Sequence, residues 1–295
     1  MSTVPGRIVR NLSPLKRPSG AFAMLAVDQR EAMRAMFAAH QDQPVSDQQL
    51  VEFKLAATRA LSPHASGVLV DKQFALDQVI EENAVSSTCG LIASADRFIA
   101  GRGEFVSDVE LDDAVDAEYY RKLGVVAMKL LVIYRRDGDP AKRAALVESF
   151  LGRCHKANMI SIIEPVAKAP RDGYKWNWDD DVIAAARELG SLGADLYKAE
   201  VPLRGQGDPD MIRRRCADIT RAVSSPWLVL SSGVPDSVFP MAVELACREG
   251  ASGFLAGRAV WSSVIGSDDI DRDLNEVAVP RLQRLCAVVD NYVRP

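Results

Sequence analysis

The sequence predicts an α/β fold of the (β/α)8 type, a TIM barrel closed as a single domain, and three observations carry that expectation. Eight short apolar runs alternate with longer amphipathic runs from Phe22 to the end of the 295-residue chain, as repeated βα units do. The runs are continuously apolar rather than alternating, which suits strands buried on both faces of a parallel sheet. No G-x-G-x-x-G follows the first run, where Val27 leads into Asp28-Gln29-Arg30, and this disfavours a doubly wound open sheet. Length alone suggests two domains at about 150 residues each, but α/β barrels reach roughly 250 residues as one. No Pro/Gly/Ser linker or internal repeat divides the chain.

The expected strands are Phe22–Val27, Gly67–Val70, Gly90–Ser94, Val125–Val132, Met159–Val166, Leu196–Pro202, Trp227–Ser232 and Gly253–Val260. A helix is expected over Asp108–Leu123, because acidic residues fill its first turns, where the helix dipole favours them. Pro140–Ala157, Pro209–Ala222 and Pro235–Arg248 each begin with proline, whose missing N–H costs little in a first turn. Asp179–Leu192 stops at Gly193, a C-terminal cap. The segment from about Asp271 to Tyr292 closes the outer ring, with its regular part starting near Pro280. Residues 1–19 read as a short, weakly ordered arm and residues 20–295 as the catalytic barrel.

Apolar residues make up 48%, enough for a large core and too many for wholesale disorder. The 36 basic residues against 40 acidic ones leave a formal charge of −4, which disfavours a nucleic-acid partner. No stretch reaches the roughly 18 apolar residues of a membrane span, so no membrane partner is expected. Arg7, Arg10, Lys16 and Arg17 precede no apolar core, so no secretory signal is expected. The five cysteines are scattered and never paired as C-x-x-C; they read as reduced core residues of a cytoplasmic protein. Three histidines, His40, His64 and His155, form no H-x-H or H-E-x-x-H pair, which disfavours a zinc site.

A barrel presents its active site at the C-terminal ends of its strands. There the sequence places Asp28-Gln29-Arg30, Asp71-Lys72-Gln73, Lys129, Glu164, Lys198, Ser231-Ser232-Gly233 and Ala256-Gly257-Arg258. Lys198 is the sharpest candidate. Leu196, Lys198 and Glu200 share one face of their strand, and a strand among buried strands tolerates an unpaired ammonium poorly. Desolvation and a second cation, Lys129, would favour a neutral amine able to attack a ketone carbonyl. The plainer alternative is a lysine that snorkels or pairs with Glu164 or Glu200. Glu164 suits proton transfer, or it merely balances the two lysines. Asp28 and Asp71 suit a substrate hydroxyl or the orienting of a lysine, and equally the capping of the following helix.

Ser232, Gly233, Gly257 and Arg258 are the phosphate candidates, since barrels often bind phosphate after their seventh and eighth strands. Glycine lets backbone N–H groups approach an anion, a helix start adds its dipole, and arginine adds a bidentate contact. Other features read as structural. The basic loop Lys168–Lys175 is read as solvated, with covering the mouth as the alternative. Gly101-Arg102-Gly103 and Gly205-Gln206-Gly207 are too short for nucleotide loops. Met33, Met36 and Phe37 lie at helical spacing and read as core.

Five runs taken together, F-A-M-L-A-V-D-Q-R-E-A-M (Phe22–Met33), S-I-I-E-P (Ser161–Pro165), A-D-L-Y-K (Ala194–Lys198), L-S-S-G-V (Leu230–Val234) and G-F-L-A-G-R-A-V-W (Gly253–Trp261), resemble the sulfofructosephosphate aldolases, relatives of the tagatose 1,6-bisphosphate aldolases. The resemblance extends from Ser19 to Val289. It implies a class I lyase that needs no metal or other cofactor and cleaves 6-deoxy-6-sulfofructose 1-phosphate. The implied products are dihydroxyacetone phosphate and 3-sulfolactaldehyde, in sulfoquinovose catabolism. It further implies Lys198 as the Schiff-base lysine, Glu164 as the proton-transfer group, and Lys129 and Asp28 as supporting residues. Ser232, Gly233, Gly257 and Arg258 would hold the phosphate. Gln29 and Arg30, with Asp71 nearby, are expected at the sulfonate end. The loop carrying Trp176 and Trp178 departs from the family pattern and bears on end-group choice. A dimer or tetramer is expected. The rival readings are a tagatose or fructose 1,6-bisphosphate aldolase, and a non-catalytic sugar-phosphate sensor on the same barrel.

Overall fold

A computed structural model of the chain describes residues 10–173 and 175–293. Eight parallel strands close into a barrel. In chain order these are β1 (Phe22–Ala26), β2 (Gly67–Asp71) and β3 (Gly90–Ser94), then β6 (Val125–Tyr134), β7 (Ile160–Ala167), β8 (Leu196–Glu200), β9 (Trp227–Leu230) and β10 (Gly253–Ala256). Between β3 and β6 an antiparallel hairpin is inserted, β4 (Asp96–Gly101) and β5 (Glu104–Leu111). The helices are α1 (Glu31–Ala38), α2 (Asp47–Leu61), α3 (Leu76–Glu81), α4 (Ala117–Lys122), α5 (Pro140–Lys156) and α6 (Trp178–Leu189). They continue with α7 (Pro209–Ala222), α8 (Phe239–Arg248), α9 (Arg258–Trp261), α10 (Ile270–Asp273) and α11 (Val279–Tyr292).

The barrel interior has two layers of opposite character. Ala26, Leu69, Ile92, Ala127, Ile162, Leu196, Leu228 and Leu255 form part of an apolar plug, sealed from below by Leu15. Side chains two apart on a strand share a face. The next inward position up each strand is therefore Asp28, Asp71, Ser94, Lys129, Glu164, Lys198, Leu230 or Gly257. One pleat thus converts a dry hydrocarbon floor into a charged layer at the C-terminal end. Leu15 belongs to a short 3-10 turn, Ser13–Leu15, so the described part of the expected arm is packed into the barrel base. The arm's residues 1–9 lie outside the described residues.

The expected helix over Asp108–Leu123 is corrected. Glu104–Leu111 is a strand, and the helix begins only at Ala117, capped by the Asp116 side chain accepting from the Tyr119 N–H. Asp108 and Glu110 are polar positions of a two-residue repeat whose ion partners are Lys142 and Arg97, not the first turn of a helix. The Gly101-Arg102-Gly103 run is the hairpin turn, with Gly103 at φ +76°. The last strand stops at Ala256 rather than Val260, because Gly257 turns the chain into α9. The sixth barrel strand stops at Glu200, before a short turn over Pro202–Gly205. The proline at 280 opens α11 as expected. All five cysteines are buried and unpaired.

Candidate active site

A cavity of about 540 Å³ opens at the C-terminal end of the barrel. Lys198 enters it from β8 and is 1% exposed. Its Nζ lies 3.0 Å from Oε2 of Glu164 on β7. The same oxygen lies 3.4 Å from Nζ of Lys129 on β6. Lys129 is also held by Oδ2 of Asp28 at 2.6 Å and Oδ2 of Asp96 at 2.9 Å. Two ammonium groups thus share one carboxylate in a buried site, where electrostatic interactions are strong.

The charges settle in a definite way. Burial pushes the Asp28 carboxyl up, but Lys129 and Lys198 outweigh it and pull it down to about 2. Burial pushes Lys129 down, but Asp28, Asp96 and Glu164 outweigh it and hold this ammonium well above its ordinary value. Lys129 is therefore the centre of a carboxylate cage, and the second cation expected beside Lys198 is a compensated one.

The phosphate candidates divide. Ser231, Ser232, Gly257 and Arg258 line the cavity, and Arg258 Nη2 donates to Ser232 Oγ at 3.2 Å. Glycine at 257 is required by close approach: a Cβ there would meet the Ala26 carbonyl oxygen at 2.4 Å. Trp261 Nε1 donates to that same carbonyl at 2.9 Å and fixes the crossing. Gly233, at φ +71°, shapes the turn against Arg204 and lies outside the cavity lining.

The far-end candidates also divide. Gln29 lines the cavity with a buried Oε1 that accepts no hydrogen bond among the described residues. Arg30 Nε is likewise buried without a hydrogen-bond partner among the described residues, whereas Glu164 Oε2 is engaged by the two lysines. Buried polar atoms are seldom left so, and two on one cavity suit it to a polar ligand. Arg30, however, is engaged elsewhere: Nη2 donates to both Oδ1 and the backbone oxygen of Asp96 at 2.8 Å. Its guanidinium lies over the Phe98 ring at 4.0 Å. Asp71 does not reach the cavity. It is fully buried, pairs with Lys54 of α2 and accepts from the Phe74 N–H at 3.0 Å. Lys54 also donates to the Val27 and Gln29 carbonyls, so this pair secures the loop carrying Asp28 and Gln29.

Several site residues escaped sequence reasoning. Asp96, fully buried, braces both Lys129 and Arg30. Its signal was available, since Asp96 lies two residues beyond β3 as Asp28 lies two beyond β1. The hairpin residues Phe98, Ala100, Glu104, Phe105 and Val106 wall one side of the cavity, together with Lys168. Lys168 is thus not simply solvated, and Arg171 of the same loop donates to Ser107 on the hairpin. Tyr174 of that loop lies outside the described residues. Among the described residues no cluster of three or more His, Cys, Asp or Glu is arranged to hold a metal ion. Nor, among the described residues, is any helix long and apolar enough to cross a membrane.

Residues 22–263 match the model of the DeoC/LacD family aldolases. The chain belongs to that family. It is therefore an aldolase of the DeoC/LacD type. It is 25% identical over 284 residues to tagatose 1,6-diphosphate aldolase 2 of Streptococcus mutans, covering 86% of this chain and 84% of that one. Tagatose 1,6-diphosphate aldolase 1 of the same species is 26% identical over 283 residues, covering 86% and 85%. Among solved structures, the aldolase shares its fold with an archaeal fructose 1,6-bisphosphate aldolase at TM-score 0.63 and 18% identity, covering 94% of this chain and 96% of that one. Fructose-bisphosphate aldolase of Plasmodium falciparum gives TM-score 0.69 at 12% identity, covering 96% and 94%.

Proposed function

We propose that the chain is a class I aldolase that cleaves a ketose 1-phosphate between C3 and C4 through a Schiff base on Lys198, with 6-deoxy-6-sulfofructose 1-phosphate as its substrate. The observation that carries the chemistry is Glu164 Oε2, 3.0 Å from Lys198 Nζ at the floor of the cavity. Glu164 takes the proton that Lys198 must lose before its amine attacks the C2 carbonyl. Glu164 returns that proton to the carbinolamine hydroxyl, which leaves as water, and the resulting iminium serves as the electron sink. Glu164 then accepts the C4 hydroxyl proton as the C3–C4 bond breaks, and the aldehyde departs. Protonation and hydrolysis of the enamine release dihydroxyacetone phosphate and regenerate the amine. Lys129, firmly cationic inside its carboxylate cage, faces Glu164 and stabilises developing negative charge. Ser232 and Arg258, across the cavity, receive the 1-phosphate.

The sulfosugar assignment rests on the five sequence runs named above. The curated relatives bear names of tagatose 1,6-diphosphate aldolases and favour a bisphosphate as the second reading. A coupled assay for dihydroxyacetone phosphate, run with EDTA, compares sulfofructose 1-phosphate with tagatose 1,6-bisphosphate. Preference for the sulfosugar supports the first reading, and preference for the bisphosphate replaces it with the second. Silence on both, with no borohydride-trapped adduct at Lys198, overturns the aldolase reading and favours a sensor.

A further inference from the structure

The cavity has a second end, walled by the β4–β5 hairpin, and of the far-end residues expected from sequence Arg30 and Asp71 are engaged by Asp96 and Lys54. The hairpin leaves β3, which lies four places round the eight-stranded barrel from β9. It therefore stands diametrically opposite Ser231 and Ser232. Phe98, Phe105 and Val106 give this end apolar walls. Phe105 stays 56% exposed at the rim, an apolar surface left open.

The cations around the cavity are unequal. Lys129 is enclosed by three carboxylates. Arg30 is held by Asp96 and laid over Phe98. Lys168, one residue beyond β7, is differently placed. Its Nζ donates to the Val106 carbonyl at 2.7 Å and makes no other hydrogen bond among the described residues. Its nearest carboxylate, Glu104 at 3.8 Å, is bonded to Arg135 at 2.6 Å. Among the described residues two of its three N–H donors thus meet no acceptor, and Glu104 is already paired with Arg135.

We propose that Lys168 and the β4–β5 hairpin form the end-group pocket, with the Lys168 ammonium receiving a terminal anion of the ketose 1-phosphate. Arg30 then braces the hairpin root. This inference rests on the aldolase reading. An ammonium serves sulfonate and phosphate alike, whereas a neutral terminus gains nothing from it. Lys168 is thus a specificity residue, outside the bond-breaking machinery.

The test compares wild type, Lys168→Met and Lys168→Arg on three substrates: sulfofructose 1-phosphate, tagatose 1,6-bisphosphate and fructose 1-phosphate, whose terminus is neutral. For whichever anionic substrate the wild type prefers, Lys168→Met is expected to lose about tenfold or more in kcat/KM, carried by KM. Turnover of fructose 1-phosphate should change less than about twofold, and Lys168→Arg should restore most of the loss. Equal losses on charged and neutral termini, or no loss, overturn the inference while leaving the aldolase intact. A wild type that releases no dihydroxyacetone phosphate from any of the three overturns both.

Discussion

Nζ of Lys129 donates to Oδ2 of Asp96 at 2.9 Å, joining the centre of the charged layer to the root of the hairpin. That oxygen also accepts from the Leu131 N–H at 2.9 Å, and Oδ1 accepts from Ser94 and Arg30. Burial raises the Asp96 carboxyl, but Lys129 and Arg30 outweigh it and hold it below its ordinary value. A single ionised carboxylate therefore sets where Lys129 stands and where the hairpin starts.

Asp96→Asn should weaken both connections at once. Misplacing a catalytic group by about 1 Å can cost on the order of 10²-fold, and a loss of that size in kcat is expected on charged and neutral substrates alike. Breaking a buried ion pair also destabilises a fold by about 3–5 kcal/mol, so the urea midpoint should fall. Unchanged kcat with a lowered midpoint would make Asp96 purely structural.

Lys198→Ala should remove turnover by on the order of 10⁴-fold or more, as loss of a covalent nucleophile does. The apolar layer beneath, Ile162, Leu196 and Leu228, is untouched, so circular dichroism should stay close to wild type, while loss of the buried pair with Glu164 should lower the melting temperature. Borohydride with dihydroxyacetone phosphate should add mass to the peptide containing residue 198 in the wild type and to none in the variant. Labelling at residue 129 instead would exchange the roles of the two lysines.

Much of this site was legible because the barrel reduces position to a two-residue rule. Once Leu196 is an inward core residue, Lys198 must face inward too, and Ile162 places Glu164 in the same way. The hairpin was not legible for an equally physical reason. Asp108, Glu110 and Asp112 resemble an acidic first helical turn, while the strand pattern of Glu104–Leu111 is short and lies at the surface. Asp71 misled through ambiguity: an inward strand-end carboxylate reads the same whether it meets substrate or a buried lysine. Only the packing of α2, which brings Lys54 against it, separates the two. Arg30 follows the same logic, since its partner Asp96 belongs to a segment whose fold the sequence concealed.

Glu164→Gln should retain the cavity's shape while removing the proton acceptor. General acid–base groups contribute about 10²–10⁴-fold, and kcat should fall within that range. Lys198 remains, so slow borohydride trapping is expected at a rate reduced with turnover. A fall in turnover with undiminished trapping would confine Glu164 to the bond-breaking step.

Stability should depend on pH through two groups of opposite sign. Burial raises the Glu200 carboxyl to about 8, although it accepts from the Ala167 N–H at 2.8 Å. Its unfolded value is about 4.3, so the folded state binds the proton more tightly. Its contribution is whole below about 4.3 and is lost as pH rises through about 8. Asp28 behaves oppositely: held down to about 2, it contributes above its unfolded value of about 3.9 and is lost as pH falls through the folded one. Glu200→Gln removes the first dependence. Between pH 5 and pH 9 the wild-type urea midpoint should decline more steeply than the variant's, so that Glu200→Gln gains relative stability at the alkaline end. Parallel declines would show that Glu200 is ionised in the folded protein throughout this range.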